Sequence, residues 1–203
     1  MSYNGSTLSM TITDTANPAQ TFTTSWPIDI PGTIGGTTGF VGFTGATGGS
    51  MATEQILTWT YSAAKAAVVY QATSLASTTS GSALRVFHYA DFPDSSGTIL
   101  DADSVGDYVV FTVNVATPGI YNVKVSYKQY SMRGIMQSAV NSTNIGSVVD
   151  QYLAGGEGYA QSDLGSLNFA SAGNYLFKFT VVGKNAGSTG YLLTFDTISL
   201  TPQ

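Results

Sequence analysis

The sequence predicts an all-β protein, a β-sandwich preceded by a shorter, incomplete β-segment. Three observations support this. Apolar residues recur at i, i+2 within short runs rich in Thr, Val and Tyr, as in a sheet with one face on a core and one in water. Gly, Asn, Ser or Pro interrupts these runs roughly every ten residues. The only helix-like stretch is Ala63-Ala64-Lys65-Ala66-Ala67, about one turn long and without a following cap.

The strands follow in order. Leu8-Ser9-Met10-Thr11-Ile12 alternates cleanly. Tyr108 to Val115 and Tyr121 to Tyr127 alternate again and are separated by the turn chemistry of Pro118-Gly119. Ala172-Gly173-Asn174 introduces a strand from Tyr175 to Val181, and a final strand is expected from Tyr191 to Leu200. The Ala-rich patch marks a boundary, because glycines concentrate before it between Gly32 and Gly49. Residues 1–62 form one segment, 63–67 a short linker and 68–203 the second segment. The first offers about four strands, too few to close a sandwich alone. The second offers eight or more, enough for a two-sheet core.

Composition narrows the function. Only 9% of the 203 residues are charged, against a usual share of about 25%. Seven Lys plus Arg face twelve Asp plus Glu, a formal net charge of −5. Such a surface cannot supply the dense positive charge that neutralises phosphates, so neither nucleic acid nor an anionic membrane is an expected partner. Apolar runs fall well short of the roughly 20 residues that cross a bilayer, and Met1-Ser2-Tyr3-Asn4 has no basic n-region. With no cysteine, disulfide frameworks and Cys-based zinc sites are excluded.

The first segment combines Pro27-Ile28-Asp29-Ile30-Pro31, the run Val41-Gly42-Phe43-Thr44-Gly45-Ala46-Thr47-Gly48-Gly49 and the strand Ile56-Leu57-Thr58-Trp59-Thr60-Tyr61. Over residues 3–62 it resembles the carboxy-terminal part of a legume-type lectin domain. The resemblance implies that Gly45, Ala46, Thr47 and Gly48 lie at the edge of a sugar site. The strands that carry that family's metal ligands have no counterpart here, so the segment is expected to be an incomplete sandwich. Its unpaired strand edges favour pairing with a second chain, a possible homodimer.

From Tyr70-Gln71-Ala72 through Gly106-Asp107-Tyr108 and Pro118-Gly119 to Gly183-Lys184-Asn185 and Asp196-Thr197-Ile198, the second segment resembles carbohydrate-binding modules of the galactose-binding-like jelly roll, families 6 and 35. The resemblance covers residues 68–202. It implies a jelly-roll β-sandwich, non-catalytic binding of a glycan in loops at one end, and a secreted or cell-surface bacterial protein in which the module targets an appended glycan-active enzyme or surface protein. The family's structural calcium is held by two carboxylates and the Asp of the last strand. Gln71 and Thr73 replace the first two, leaving Asp196 as a weak site on charge grounds. No other cofactor is expected.

A sugar cleft needs aromatic faces for stacking and planar hydrogen-bonding groups to read hydroxyls. Lys128-Gln129-Tyr130-Ser131-Met132-Arg133 breaks the alternation after a strand and sets an aromatic beside a guanidinium. Lys184, Asn185 and Tyr191 precede the final strand, and Gln151-Tyr152 with the neighbourhood of Tyr159 forms a third loop. The candidate ligand-binding residues are therefore Tyr130, Arg133, Lys128, Asn185, Lys184, Tyr191 and Tyr152. The plain structural alternative for Arg133 is an ion pair with Asp150 or Glu157, and for Tyr130 a core edge. Asp101, Asp103 and Asp107 form the densest acidic cluster, but Val105 stands where a calcium loop needs oxygen, so a polar turn is the expectation.

No catalytic residue is assigned. His88 is the only histidine and sits in the strand-like Val86-Phe87-His88-Tyr89, and no Gly-x-Ser-x-Gly elbow occurs. A glycoside hydrolase or lyase using a carboxylate pair such as Asp91 with Asp150 is one alternative function. A structural or adhesion spacer without a sugar site is another.

Overall fold

The computed structural model describes residues 1–36, 38–45, 49, 58, 60, 66–88 and 96–203. The loop 46–48, most of the strand expected at 56–61, and Asp91 lie outside the described residues, as do 63–65 of the expected linker and helix. The chain divides into two compact units, Met1–Ala64 and Lys65–Gln203.

The first unit is an antiparallel ribbon of β1 (Ser2–Tyr3), β2 (Thr7–Thr13) and β3 (Thr21–Pro27), followed by a short helix α1 (Ile30–Ile34). The register of β2 with β3 separates two chemistries. Leu8 opposes Trp26 and Ile12 opposes Phe22 on one face, while Thr11 opposes Thr23 and Thr13 opposes Thr21 on the other. None of this unit's described residues is buried, so the apolar face is without a core of its own among them. The helix was not expected: Pro31 and Gly32 have low helix propensity. Local capping makes it: the Asp29 carboxylate accepts from the Gly32 N–H at 3.0 Å, and Gly35 at φ +72° ends it in the left-handed region.

The second unit is a β-sandwich. One sheet has the order β11-β10-β13-β8-β5, built from β5 (Ser77–Thr79), β8 (Tyr108–Val115), β10 (Gly134–Val140), β11 (Thr143–Asp150) and β13 (Gly173–Lys184). The opposing sheet has the order β12-β9-β15-β4, from β4 (Val68–Gln71), β9 (Gly119–Gln129), β12 (Gly158–Phe169) and β15 (Thr197–Pro202). A smaller sheet, β14-β7-β6, is made of β6 (Leu84–His88), β7 (Ser96–Leu100) and β14 (Leu193–Phe195). His88 ends β6, exposed. Strand pairing throughout these sheets is antiparallel. This is the jelly-roll sandwich expected.

Alternation fills the interior. Val109, Phe111, Val113 and Val115 of β8 and Phe177, Phe179 and Val181 of β13 face Tyr121, Val123 and Val125 of β9 and Ile198 and Leu200 of β15 in one buried cluster. The strand expected from Tyr191 to Leu200 is two strands. At Asp196 the chain leaves β7 and joins β9 and β4, and the corner is held by bonds from Ala72 N–H to the Asp196 carbonyl at 2.7 Å and from Asp196 N–H to the Ser126 carbonyl at 2.9 Å. Among the described residues no helix is long and apolar enough to cross a membrane.

The Asp101 to Asp107 cluster is a polar turn. Arg85 pairs with Asp101, with Nη2 and Oδ1 2.6 Å apart. Asp107 accepts from the N–H groups of Asp103 and Ser104 at 3.0 and 3.2 Å and from the Ser80 hydroxyl at 3.1 Å. Burial pushes the Asp107 carboxyl up, but these bonds, with a further one from Ser82, together hold it below the usual carboxylate range. Asp163 is held low by the Asn122 carboxamide and the Gly165 N–H. A carboxyl with a lower folded than unfolded pKa adds stability above its unfolded value and loses it as pH falls through the folded one. Asp107→Ala is expected to cost about 1 kcal/mol at pH 7, a value reduced by solvent screening, and to reduce the loss of stability between about pH 5 and pH 2. Urea unfolding at pH 7 and pH 3 measures both, and an unchanged pH dependence would contradict the assignment.

Candidate functional site

Three connections meet at one end of the sandwich: residues 130–133 between β9 and β10, 151–157 between β11 and β12, and 185–192 between β13 and β14. They are joined mainly through backbone. Tyr130 N–H donates to the Gln151 carbonyl and Leu153 N–H to the Tyr130 carbonyl, both at 3.2 Å. Thr189 N–H donates to the Ser131 carbonyl at 3.1 Å, and Leu192 N–H to the Met132 carbonyl at 3.3 Å. The buried Ser188 hydroxyl donates to the Arg133 carbonyl at 2.7 Å.

Glycines permit this closeness. A Cβ on Gly134 would lie 2.8 Å from the Tyr191 carbonyl oxygen, one on Gly190 2.9 Å from that of Met132, and one on Gly187 2.5 Å from the Tyr152 hydroxyl.

The seven candidate residues all belong to this end, but in different roles. Tyr130 is 37% exposed and Met132 beside it likewise 37%, giving the rim an apolar surface. Tyr130 is bridged to Tyr152, which is half-buried against Gly187. The exposed Lys184 ammonium lies over the Tyr191 ring, 4.7 Å from its centroid.

Two residues expected to reach out are turned inward. Arg133 is only 2% exposed; its guanidinium carbon lies 5.9 Å from the Tyr130 ring centroid, so it backs the aromatic instead of flanking it in solvent. Lys128 is 2% exposed and pairs with Glu157, one of the two carboxylates expected as partners of Arg133. Asn185 uses its carboxamide within the fold, Nδ2 donating to Asp150 Oδ2 at 2.9 Å and Oδ1 accepting from Gly187 N–H at 3.0 Å. The other Asp150 oxygen accepts from Tyr152 N–H at 2.9 Å.

Sequence reasoning passed over Met132, Thr194 and the Gln151 side chain. Gln151 is fully buried and Thr194 equally so. The available signal was the polar Thr194 between Leu193 and Phe195, which alternation alone places outward.

Beneath this end lies Asp196. Gln71 and Asp196 adjoin through the Ala72 N–H bond to the Asp196 carbonyl, and Gln71 Oε1 is a buried acceptor without a hydrogen-bond partner among the described residues. Among the described residues no group of three or more His, Cys, Asp or Glu could hold a metal. One carboxylate, one carboxamide oxygen and the Thr73 hydroxyl fit a hard cation in type, and a single negative charge makes the set poor for calcium.

No family model matches the chain, and no curated protein matches it. Among solved structures, it is similar to the Paenibacillus xanthan lyase, at 33% identity and a TM-score of 0.61 over 66% of this chain. The chain spans 13% of that enzyme's length. A module of a multidomain xylanase from the Trinervitermes trinervoides hindgut metagenome matches 68% of this chain and 98% of that one, at 16% identity and a TM-score of 0.47. A carbohydrate-binding module of a Cellvibrio mixtus lichenase, solved with cellotriose, matches 67% of this chain and 97% of that one, at 14% identity and a TM-score of 0.44.

Proposed function

We propose that the second unit is a non-catalytic saccharide-binding module whose site is the three-loop end of the sandwich. The observation that carries this reading is the juxtaposition there of an exposed aromatic and thioether surface, Tyr130 with Met132, and a cation held over a second aromatic, Lys184 on Tyr191. Apolar faces of a pyranose stack on the first, and ammonium and backbone groups read hydroxyls. Similarity to a segment of a Paenibacillus xanthan lyase supports a polysaccharide as ligand and an appended glycan-active enzyme as the setting, and the proposed location is secreted or at the cell surface.

With so few side chains at the rim, the affinity is micromolar to millimolar, about 4–8 kcal/mol. The loop side chains read the sugar. The uncharged edge strand β3 favours a homodimer through the first unit, tested by sedimentation equilibrium.

Affinity electrophoresis of the whole chain in xanthan-containing gels tests the binding. The wild type is retarded, and Tyr130→Ala, which removes an exposed ring, loses about tenfold in affinity with little change in stability. Equal mobility with and without xanthan and other polysaccharides would favour a spacer. Release of reducing ends or unsaturated products would favour an enzyme.

A further inference from the structure

We infer that Gln151 is a positioning residue: its buried carboxamide fixes the three site loops relative to one another, an inference that rests on the saccharide-binding reading above. Gln151 follows β11 directly and is fully buried. Its Nε2 donates to the Thr194 carbonyl at 3.1 Å, and its Oε1 accepts from Thr194 N–H at 2.8 Å. The carboxamide therefore pairs with Thr194 as a peptide unit of a neighbouring strand would, and this pair of hydrogen bonds admits one orientation of the amide.

Thr194 carries the connection onward. Its hydroxyl donates to the Lys128 carbonyl at 2.6 Å and accepts from Lys128 N–H at 3.1 Å. The main chain of Gln151 adds two bonds, from its N–H to the Gly134 carbonyl and from Tyr130 N–H to its carbonyl, each 3.2 Å. One polar bar thus runs from the end of β9 through β14 to the end of β11. Tyr130 lies two residues beyond Lys128, Tyr152 follows Gln151 and Tyr191 lies three before Thr194.

An apolar contact at this place would tolerate sliding, because packing has no fixed register. A buried polar network in which each group is paired has one register, and breaking it leaves Thr194 N–H and C=O unsatisfied. Gln151 has no exposed surface with which to touch a glycan, so its effect on binding passes through Tyr130 and its neighbours.

The test compares Gln151→Met, similar in size but without the amide, with Phe169→Leu. Phe169 packs on Tyr121, Tyr175 and Phe177 and pairs with Gly119, at the opposite end of β9 from Lys128. Both variants lower the melting temperature. Binding of xanthan oligosaccharides is measured well below either transition, with amide hydrogen exchange at Tyr130 and Leu153. The expected result is that Gln151→Met loses about tenfold in affinity and exchanges about tenfold faster at both amides, while Phe169→Leu stays within about twofold on both.

Wild-type affinity and exchange in Gln151→Met would overturn the inference, as would equal losses in Phe169→Leu. Tyr130→Ala separates the two readings. If it loses binding while Gln151→Met does not, the positioning role alone fails; if it binds as the wild type does, the site itself is misplaced.

Discussion

Phe111→Ala is expected to destabilise the sandwich by about 3–5 kcal/mol, the range for truncating a fully enclosed aromatic ring. Phe111 lies in the middle of β8, fully buried, where the five-stranded sheet meets the smaller one. Its ring meets Phe179 edge-on at 6.1 Å between centroids and Phe195 at 5.4 Å, and those two rings lie 4.8 Å apart. Removing it abolishes two of the three contacts in a mutually supporting trio and leaves a cavity that neighbours fixed by strand pairing on β13 and β14 cannot fill. A domain has only about 5–15 kcal/mol in reserve, so the change consumes a large part of it. Calorimetry should show a melting temperature lower by about 10–20 °C. Val86→Ala, at an exposed position on β6, should stay within about 0.5 kcal/mol. Similar small effects in both would mean that the packed trio does not hold the sheets together.

Gly134→Ala is expected to cost about 1–3 kcal/mol and to weaken saccharide binding in the same step. The added Cβ would meet the Tyr191 carbonyl oxygen at 2.8 Å, its carbon at 3.2 Å and the Gly183 carbonyl oxygen at 3.3 Å. All three are main-chain atoms, so no side-chain rotation relieves the clash. The strand and the 185–192 loop must separate, and the Gly134 N–H bond to the Leu192 carbonyl, 3.0 Å long, stretches with them. Gly183→Ala is the matched control: a Cβ there meets nothing within 4 Å. Urea titration and gel retardation of the two variants side by side read both effects. Wild-type stability and full binding in Gly134→Ala would contradict the close approach of these loops.

Much of the sandwich was legible because its strands alternate. In β8 the inward Val109, Phe111, Val113 and Val115 fall at every second position, as the pleat requires. The final strand was misread because Leu193-Thr194-Phe195 alternates in sequence as a half-exposed strand does, although all three residues are buried. Asp196 reads as one more outward polar residue, and only the tertiary pairing of β14 with β7 and of β15 with β4 and β9 reveals the change of sheet. The helix at Ile30–Ile34 was hidden because a cap from Asp29 and a left-handed Gly35 outweigh the low propensity of Pro31 and Gly32.

At the site, composition located the loops but not the direction of each side chain. A Lys and an Arg in loops are expected in solvent, where charge is hydrated. Lys128 and Arg133 are buried because β14 lies against β9 and a carboxylate, Glu157, sits over the former. Such pairing is long-range and leaves no periodic trace. The same holds for Gln151, whose partner Thr194 stands 43 residues away in the chain.

The site assignment is tested most directly by amide chemical-shift mapping during titration with xanthan oligosaccharides. Saturable shifts confined to Tyr130, Met132, Tyr152, Lys184, Tyr191 and their neighbours are expected. Shifts confined instead to the sheet face around Gln137, Lys178 and Thr180, or none at millimolar ligand, would contradict it.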